Sequence, residues 1–276
     1  MNRSKIRALL LLPVVLILIF PIIMLFANSF MTAREIESHY YSAETSPKLV
    51  LIPETVSFEQ YIRVLIKEPA YLKYFWNSVF ITFFILAGQL VVASMAAFGF
   101  SVYRFRGREL LFFLYIVVMM MPFIVTLVPN YIIAGKMGIL NRWSSVILPG
   151  IFSPFGVFLL RQFMKMVPFS YIESARLESC SDPGIYLRIM LPLVKSGLVA
   201  LIILAGVDSW NMVEQPLIFL SDSSRYPLSM ILSRINLNEA GIAFAASSLY
   251  MIPFLLLFLH NEKALVAGIA MTGVKE

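Results

Sequence analysis

Six apolar segments, each close to the length that carries a helix across a lipid bilayer, divide this chain of 276 residues. They fall at about 8–28, 76–102, 111–133, 144–160, 194–220 and 242–260. A bilayer's hydrocarbon core needs roughly 20 apolar residues per helical crossing, and lipid leaves no water to satisfy a backbone that is not helical or in a closed barrel. The fourth segment is the shortest and contains Pro149 and Pro154. Composition points the same way, with 59% hydrophobic and 14% charged residues where a soluble domain carries about 25% charged. The expected fold class is therefore an all-α polytopic membrane protein with six transmembrane helices in a single membrane domain, 1–276. Soluble-enzyme, disordered, collagenous and disulfide-stapled classes are excluded. The N-terminal MNRSKIR followed by the run from Ala8 looks like a signal peptide, but no Ala-x-Ala cleavage site closes it, so it reads as an uncleaved first span.

The charges choose an orientation. With both termini inside, Arg3, Lys5, Arg7, Arg104, Arg106, Arg108, Arg161, Lys165, Arg176, Arg188, Lys195, Lys263 and Lys275 face the cytoplasm. These thirteen cations against six acids give +7 inside, and the remaining nine cations and ten acids give −1 outside. Short basic loops such as RFRGRE at Arg104–Glu109 stay cytoplasmic. The expected topology is thus that of a multi-pass membrane protein with both termini on the cytoplasmic side. The chain's net charge of +6 belongs to loop asymmetry, not to nucleic-acid binding, because no basic stripe interleaved with aromatics accompanies it. A lone Cys180 forms no internal disulfide, and His39 and His260 make no metal-ligand cluster.

Two segments between spans carry pattern. In the outer segment 31–75, Phe58, Tyr61, Ile62, Leu65 and Ile66 recur at helical spacing within Ser57–Lys67, predicting a surface helix or a partner-docking one. The longest inner segment, 161–193, contains YIESARLESCSDPGIYLRIMLPL. Ser170 with Glu173 three residues on forms a capping-box pattern, and Pro183-Gly184 ends the helix begun there. This predicts a short helix beneath the membrane, then a second from Ile185 through Pro192 into span five. On the residues alone, an interfacial linker and a protein-docking element fit equally well.

The order of residues in this loop resembles the inner-loop signature of permease subunits of bacterial ATP-binding-cassette importers. Glu173, Ser174 and Ala175 match its Glu-Ala-Ala opening, Ser179 stands at its usual Gly, and Ile189, Leu191 and Pro192 match its Ile-x-Leu-Pro close. Similarity to the malG-like carbohydrate branch extends along the chain. It takes in Asn77-Ser78, Ala96-Ala97-Phe98-Gly99, Pro122 with Thr126 and Pro129, and Lys136-Met137-Gly138-Ile139-Leu140-Asn141. Further on come Phe155-Gly156, Phe158-Leu159-Leu160-Arg161-Gln162-Phe163, Trp210-Asn211 before Pro216-Leu217, and Val266-Ala267-Gly268 with Gly273-Val274-Lys275. The branch often has Glu after Trp-Asn, where this chain has Met212.

The resemblance implies the importer-permease fold, with a coupling helix between spans four and five, and a division of labour. This chain would form half of a path for an oligosaccharide or related carbohydrate beside a second, different permease. Two cytoplasmic ATPase subunits would hold ATP and Mg, and an extracytoplasmic solute-binding protein would deliver the sugar. The chain itself would hold no cofactor and be no enzyme, and it lacks a Gly-rich phosphate loop. The loop 171–184 would receive the ATPase stroke. Glu173 and Arg176 are the expected polar docking contacts, Ser174, Ala175, Leu177 and Ser179 shape the surface, and Ile189, Leu191 and Pro192 anchor the following turn. Arg188 and Lys195 read as positive-inside anchors, and Met119–Met121 as helix packing.

Asp208, Trp210, Asn211 and Glu214 form a polar-aromatic cluster inside an apolar run. Such groups are costly in hydrocarbon unless they face protein or water. They are candidates for the substrate path, with Asn130 and Tyr131 beside them, or for an outer interface. An integral membrane enzyme would need clustered acid, base or metal groups. A secondary carrier or scaffold would work without an ATPase and might show paired interrupted helices.

Overall fold

The computed structural model describes residues 3–40, 50, 52–234 and 239–273. Part of the outer segment 31–75 and the Val274-Lys275 end of the tail motif lie outside the described residues. Among the described residues, four stretches are long and apolar enough to cross a membrane. They are Leu11–Asn28 within α1 (Arg3–Asn28), α4 (Ala70–Val102), Trp143–Lys165 and Ala240–Glu262 within α15 (Ala240–Gly273). Two helix pairs reach that length only together. Helices α5 (Arg108–Met119) and α6 (Phe123–Lys136) are bent by 101°, and Asp182–Leu193 meets α12 (Lys195–Trp210) at 74°.

The breaks have local causes. Pro122 stands at the N-cap of α6 with ψ 133°, and proline disfavours the helical region for the residue before it. Pro149 is carried inside α7 (Trp143–Ile151), whereas Pro154 opens α8 (Pro154–Lys165), the position where its missing N–H costs nothing. The fifth apolar run, expected to continue to residue 220, divides after Trp210, and a separate helix α13 spans Glu214–Phe219. Pro216 has no N–H for the carbonyl of Met212, which accepts from Ser229 Oγ instead (2.7 Å). Asn211 Nδ2 donates to the Val207 carbonyl (2.9 Å) at the end of α12. Helix α15, which contains the sixth run, kinks at Asn261 and continues to Gly273.

The chain forms two compact units, Met1–Trp76 with Met230–Pro253 and Asn77–Ser229 with Phe254–Glu276. In the first, α2 (Ala33–Tyr40) follows α1, and α3 (Glu59–Ile62) runs on into a π-helical turn at Arg63–Lys67. Ser29 and Tyr61 share a hydroxyl hydrogen bond (2.7 Å), and Phe30 packs against Phe58 and Tyr61. The amphipathic stretch is helical as expected, but Gln60 and Val64 are the buried positions. Phe58, Ile62, Leu65 and Ile66 are exposed. Most apolar side chains of α1 from Leu11 to Ile23 are likewise uncovered by the chain itself, as expected where lipid or another subunit is the solvent.

The second unit holds two cores. One joins Ala93, Ala97 and Val102 of α4 to Val157, Leu160 and Met164 of α8, and to Leu201 of α12. Gly156 makes that approach close, because a Cβ there would stand 2.9 Å from Ala93 Cβ. The other gathers Ile81, Ile85, Leu127, Val146, Phe219 and Leu220.

Candidate functional site

Helix α9 (Ser170–Leu177) hangs from the end of α8 by the short turn Met166–Phe169. Pro168 and Phe169 begin it through their carbonyls, which accept from Tyr171 (3.2 Å) and Glu173 (3.1 Å). Ser170 is therefore the first helical residue, and no side chain caps this end. The capping box expected from Ser170 and Glu173 does not form: Ser170 is already helical, with Phe169 at the N-cap, and the Glu173 N–H donates to the Phe169 carbonyl.

The other end closes more tightly. Cys180 N–H donates to the Ala175 carbonyl (2.9 Å) and Ser179 N–H to that of Arg176 (3.0 Å), the paired bonds of a Schellman C-cap. That motif needs a left-handed residue, and Ser179 occupies it at φ 57°. The expected stand-in for glycine thus adopts glycine's conformation, at the steric expense of its Cβ.

Helix α9 has two unlike sides. Ile172 and Ala175 are buried in the core with Ile185, Met190 and Val194. Tyr171, Glu173, Ser174, Arg176, Leu177 and Glu178 are exposed, Leu177 at 87%. Ala175, expected among the contact-shaping residues, faces its own core. Its small side chain seats the helix, and the outward shape falls to Tyr171 and Leu177.

The segment after α9 is held by polar contacts and then by packing. Arg176 Nη2 reaches Asp182 Oδ1 (3.4 Å). The Tyr103 phenol also bonds Asp182, and burial together with that carboxylate holds its pKa above the ordinary phenol value. Beyond the short α10 (Asp182–Gly184), a π-helical stretch Ile185–Met190 leads into α11 (Leu191–Leu193). Ile189 and Leu191 are half-buried and Pro192 exposed. Tyr186 shares a hydroxyl hydrogen bond with Ser94 of α4 (2.6 Å). The second helix expected from Ile185 is thus present, with a π-helical first half.

The candidate path residues separate. Trp210 is buried, its ring 5.4 Å from that of Phe254. Asp208, Asn211 and Glu214 are exposed at this chain's surface, and the charges of Asp208 and Glu214 lie close enough to interact. Asn130 is half-buried, and exposed Tyr131 meets Phe219 edge-on at 5.8 Å, on the same short helix as Glu214. Among the described residues, no three His, Cys, Asp or Glu side chains are grouped to hold a metal ion.

Two arrangements were not legible beforehand. Arg161, counted with the loop cations, is 2% exposed and paired with Glu109. The loop after α13 is pinned by side chains far away in sequence. Asn77 Nδ2 donates to the carbonyls of Ser224 (3.0 Å) and Tyr226 (2.9 Å), and Ser78 Oγ accepts from Leu228 N–H (2.8 Å). Asn141, left-handed at φ 56°, takes the N–H groups of Ser221 (3.0 Å) and Asp222 (2.9 Å) on its Oδ1. Trp143 Nε1 donates to Arg225 O (3.1 Å), and the Arg225 guanidinium to Asn141 O. Asn77-Ser78 and Asn141 were legible only as motif positions. Their common partner was not.

Long apolar helices, two of them broken, with a short charged helix seated on one side, define a multi-pass transport subunit of the membrane. The chain belongs to the family described as binding-protein-dependent transport system inner membrane component, which matches residues 89–268. It is thus the permease component of an ATP-binding-cassette importer, a transport subunit and not an enzyme. It is 30% identical to the arabinooligosaccharides transport system permease protein AraQ of Halalkalibacterium halodurans, over 94% of this chain and 92% of that one. To the AraQ of Bacillus subtilis it is 31% identical, with the same coverage. A crystal structure of a bacterial ABC transporter involved in the import of the acidic polysaccharide alginate contains a chain of the same fold. The TM-score is 0.80, the identity 21%, and the match covers 95% of this chain and 98% of that one.

Proposed function

We propose that this chain forms half of the membrane path of an ATP-driven carbohydrate importer and receives the ATPase stroke through α9. The observation that carries this is the two-sidedness of α9. One side is anchored in the chain's own core by Ile172 and Ala175, and the other presents Tyr171, Glu173 and Leu177 to a partner. An interfacial linker would lay its apolar side on lipid. Here that side, Ile172 and Ala175, is taken up by the chain's own core, and a projecting leucine stands outward beside charged residues.

In this reading six spans cross the membrane with both termini cytoplasmic, the bent pairs α5–α6 and Asp182–α12 each forming one. A different permease subunit completes the path, a solute-binding protein delivers sugar outside, and two ATPase subunits bind ATP and Mg inside. ATP binding draws the ATPases together, the clefts carry the docked helices with them, and the path opens outward. Hydrolysis restores the inward-facing state. Carbohydrate is the substrate class because both AraQ relatives are named for arabinooligosaccharide transport. Asp208, Asn211 and Glu214 supply polar atoms at the path surface, and Trp210 shapes it from behind.

The test is copurification of the ATPase with the assembled importer. Leu177→Asp combined with Glu173→Arg is expected to cut ATPase recovery and uptake by at least about tenfold, the effect of about 1.4 kcal/mol of lost docking energy, while the permease pair stays assembled. Undiminished ATPase recovery and uptake in that double variant would sink the coupling role of α9.

A further inference from the structure

The cytoplasmic loop charges of a membrane protein are ordinarily solvated anchors, yet Arg161 is among the largest fully buried side chains described. Its burial is compensated on every side. Nη2 donates to both carboxylate oxygens of Glu109, each at 2.9 Å. Nε points at the carbonyl of Phe100 (3.5 Å), and the guanidinium carbon lies 3.6 Å from the centroid of the Phe112 ring. Phe112 in turn stacks on Phe158, one turn before Arg161 (6.3 Å between centroids, 14° between planes). A single side chain of α8 therefore grips the last turn of α4 and the first two turns of α5.

Position gives this grip a use. Helix α8 runs directly into the turn that carries α9, and α5 meets α6 at a bend of 101° across Met120–Pro122, the pair read above as one span. Motion arriving at α9 enters α8 along the chain, whereas α5 is joined to α8 covalently only through α6 and α7. We propose that Arg161 is a positioning residue that locks α5 to α8, so that the stroke received by α9 also moves the inner half of the broken span. The inference rests on the proposed coupling role of α9. Arginine suits the task because its planar fork serves a carboxylate and an aromatic face together, which a lysine ammonium does not. Glu109 is 62% exposed, so the buried cation is tied to a carboxylate at the surface.

The experiment uses the importer assembled with its partner subunits in liposomes. ATP hydrolysis and sugar uptake are measured separately for Arg161→Lys, Glu109→Gln and the exchange Arg161→Glu with Glu109→Arg. The expected result is hydrolysis within about twofold of wild type, with uptake per ATP lowered about tenfold in Arg161→Lys and Glu109→Gln. A second readout is the distance between spin labels at Leu110 on α5 and Met166 just after α8, both exposed, in a Cys180→Ser background. That distance is expected to be the same with and without trapped ATP in the wild type, and to change with nucleotide in Arg161→Lys. A role in stability alone would lower the unfolding temperature without altering uptake per ATP in the assembled fraction. Glu109→Gln, altered at an exposed position, keeps the question answerable if the Arg161 variants do not assemble. Wild-type uptake per ATP in both single variants, or an unchanged label distance in Arg161→Lys, overturns the proposal. Loss of ATPase recovery in the Leu177/Glu173 variant alongside normal Arg161→Lys coupling would overturn this lock alone. Normal recovery in the Leu177/Glu173 variant would overturn the reading beneath it.

Discussion

The α9 region and the loop after α13 are both short, polar and irregular in sequence, yet they are held by opposite means. Helix α9 is seated by apolar burial, with Ile172 and Ala175 reaching into a core that also holds Ile185 and Met190. The loop Leu220–Leu228 is held through its backbone, which accepts hydrogen bonds from Asn77 and Trp143 and donates to Ser78 and Asn141. Apolar seating is non-directional. Directed hydrogen bonds fix a loop at one place and register. The difference is one of directional against non-directional restraint.

That contrast can be broken most forcefully on the seated side of α9. Ile172→Ala removes a buried side chain and is expected to destabilise the chain by about 2–5 kcal/mol, read as a lower unfolding temperature of the purified subunit. Leu177→Ala, on the exposed side, is expected to leave that temperature unchanged. Equal losses for the two would abolish the distinction between seat and contact. At the pinned loop, Asn141→Ala leaves two backbone N–H groups without their acceptor. Destabilisation of about 1–3 kcal/mol is expected, with faster proteolysis confined to Ser221–Arg225. If α9 becomes the labile segment instead, the two regions are not independently held.

Ser179→Gly sharpens the comparison in the opposite direction. The left-handed C-cap would lose its Cβ strain, and a gain of about 1 kcal/mol is expected in the thermal unfolding of the subunit. A loss would mean that the Ser179 side chain contributes more than its conformation costs. The smallest effect belongs to Trp210→Phe. With the ring packed on Phe254, uptake is expected to keep its wild-type half-saturating sugar concentration. A severalfold rise would place Trp210 in contact with the sugar.

Particular residues show where sequence reading reached and where it stopped. Pro154 signalled a break through chemistry local to the chain, because a missing N–H is legible wherever the carbonyl it would serve can be counted, whereas the runs 111–133 and 194–220 were read straight through Pro122 and Pro216, where the structure bends or divides them. The substitution of Ser179 at a glycine position was equally local, and its positive φ comes from the C-cap it closes. Arg161 was not legible. Its neighbours in sequence are the helical residues of α8, and its partners Glu109, Phe112 and Phe100 come from earlier elements. Asn141 and Asn77 stood out as motif positions without a reason, since the loop they hold lies about 80 and 150 residues away.

The sequence by itself determined that this chain lives in a membrane, roughly where its apolar helices run, and which loop is chemically unlike the rest. Those properties depend on length, hydropathy and the sign of charge, all of which add along the chain. Only the tertiary structure decided which side of α9 is seated, that Trp210 packs inward while Asp208, Asn211 and Glu214 do not, and that one loop cation is a buried clamp. Those outcomes depend on which helix lies beside which, and a linear pattern specifies a residue's preference for burial without naming the neighbour that buries it.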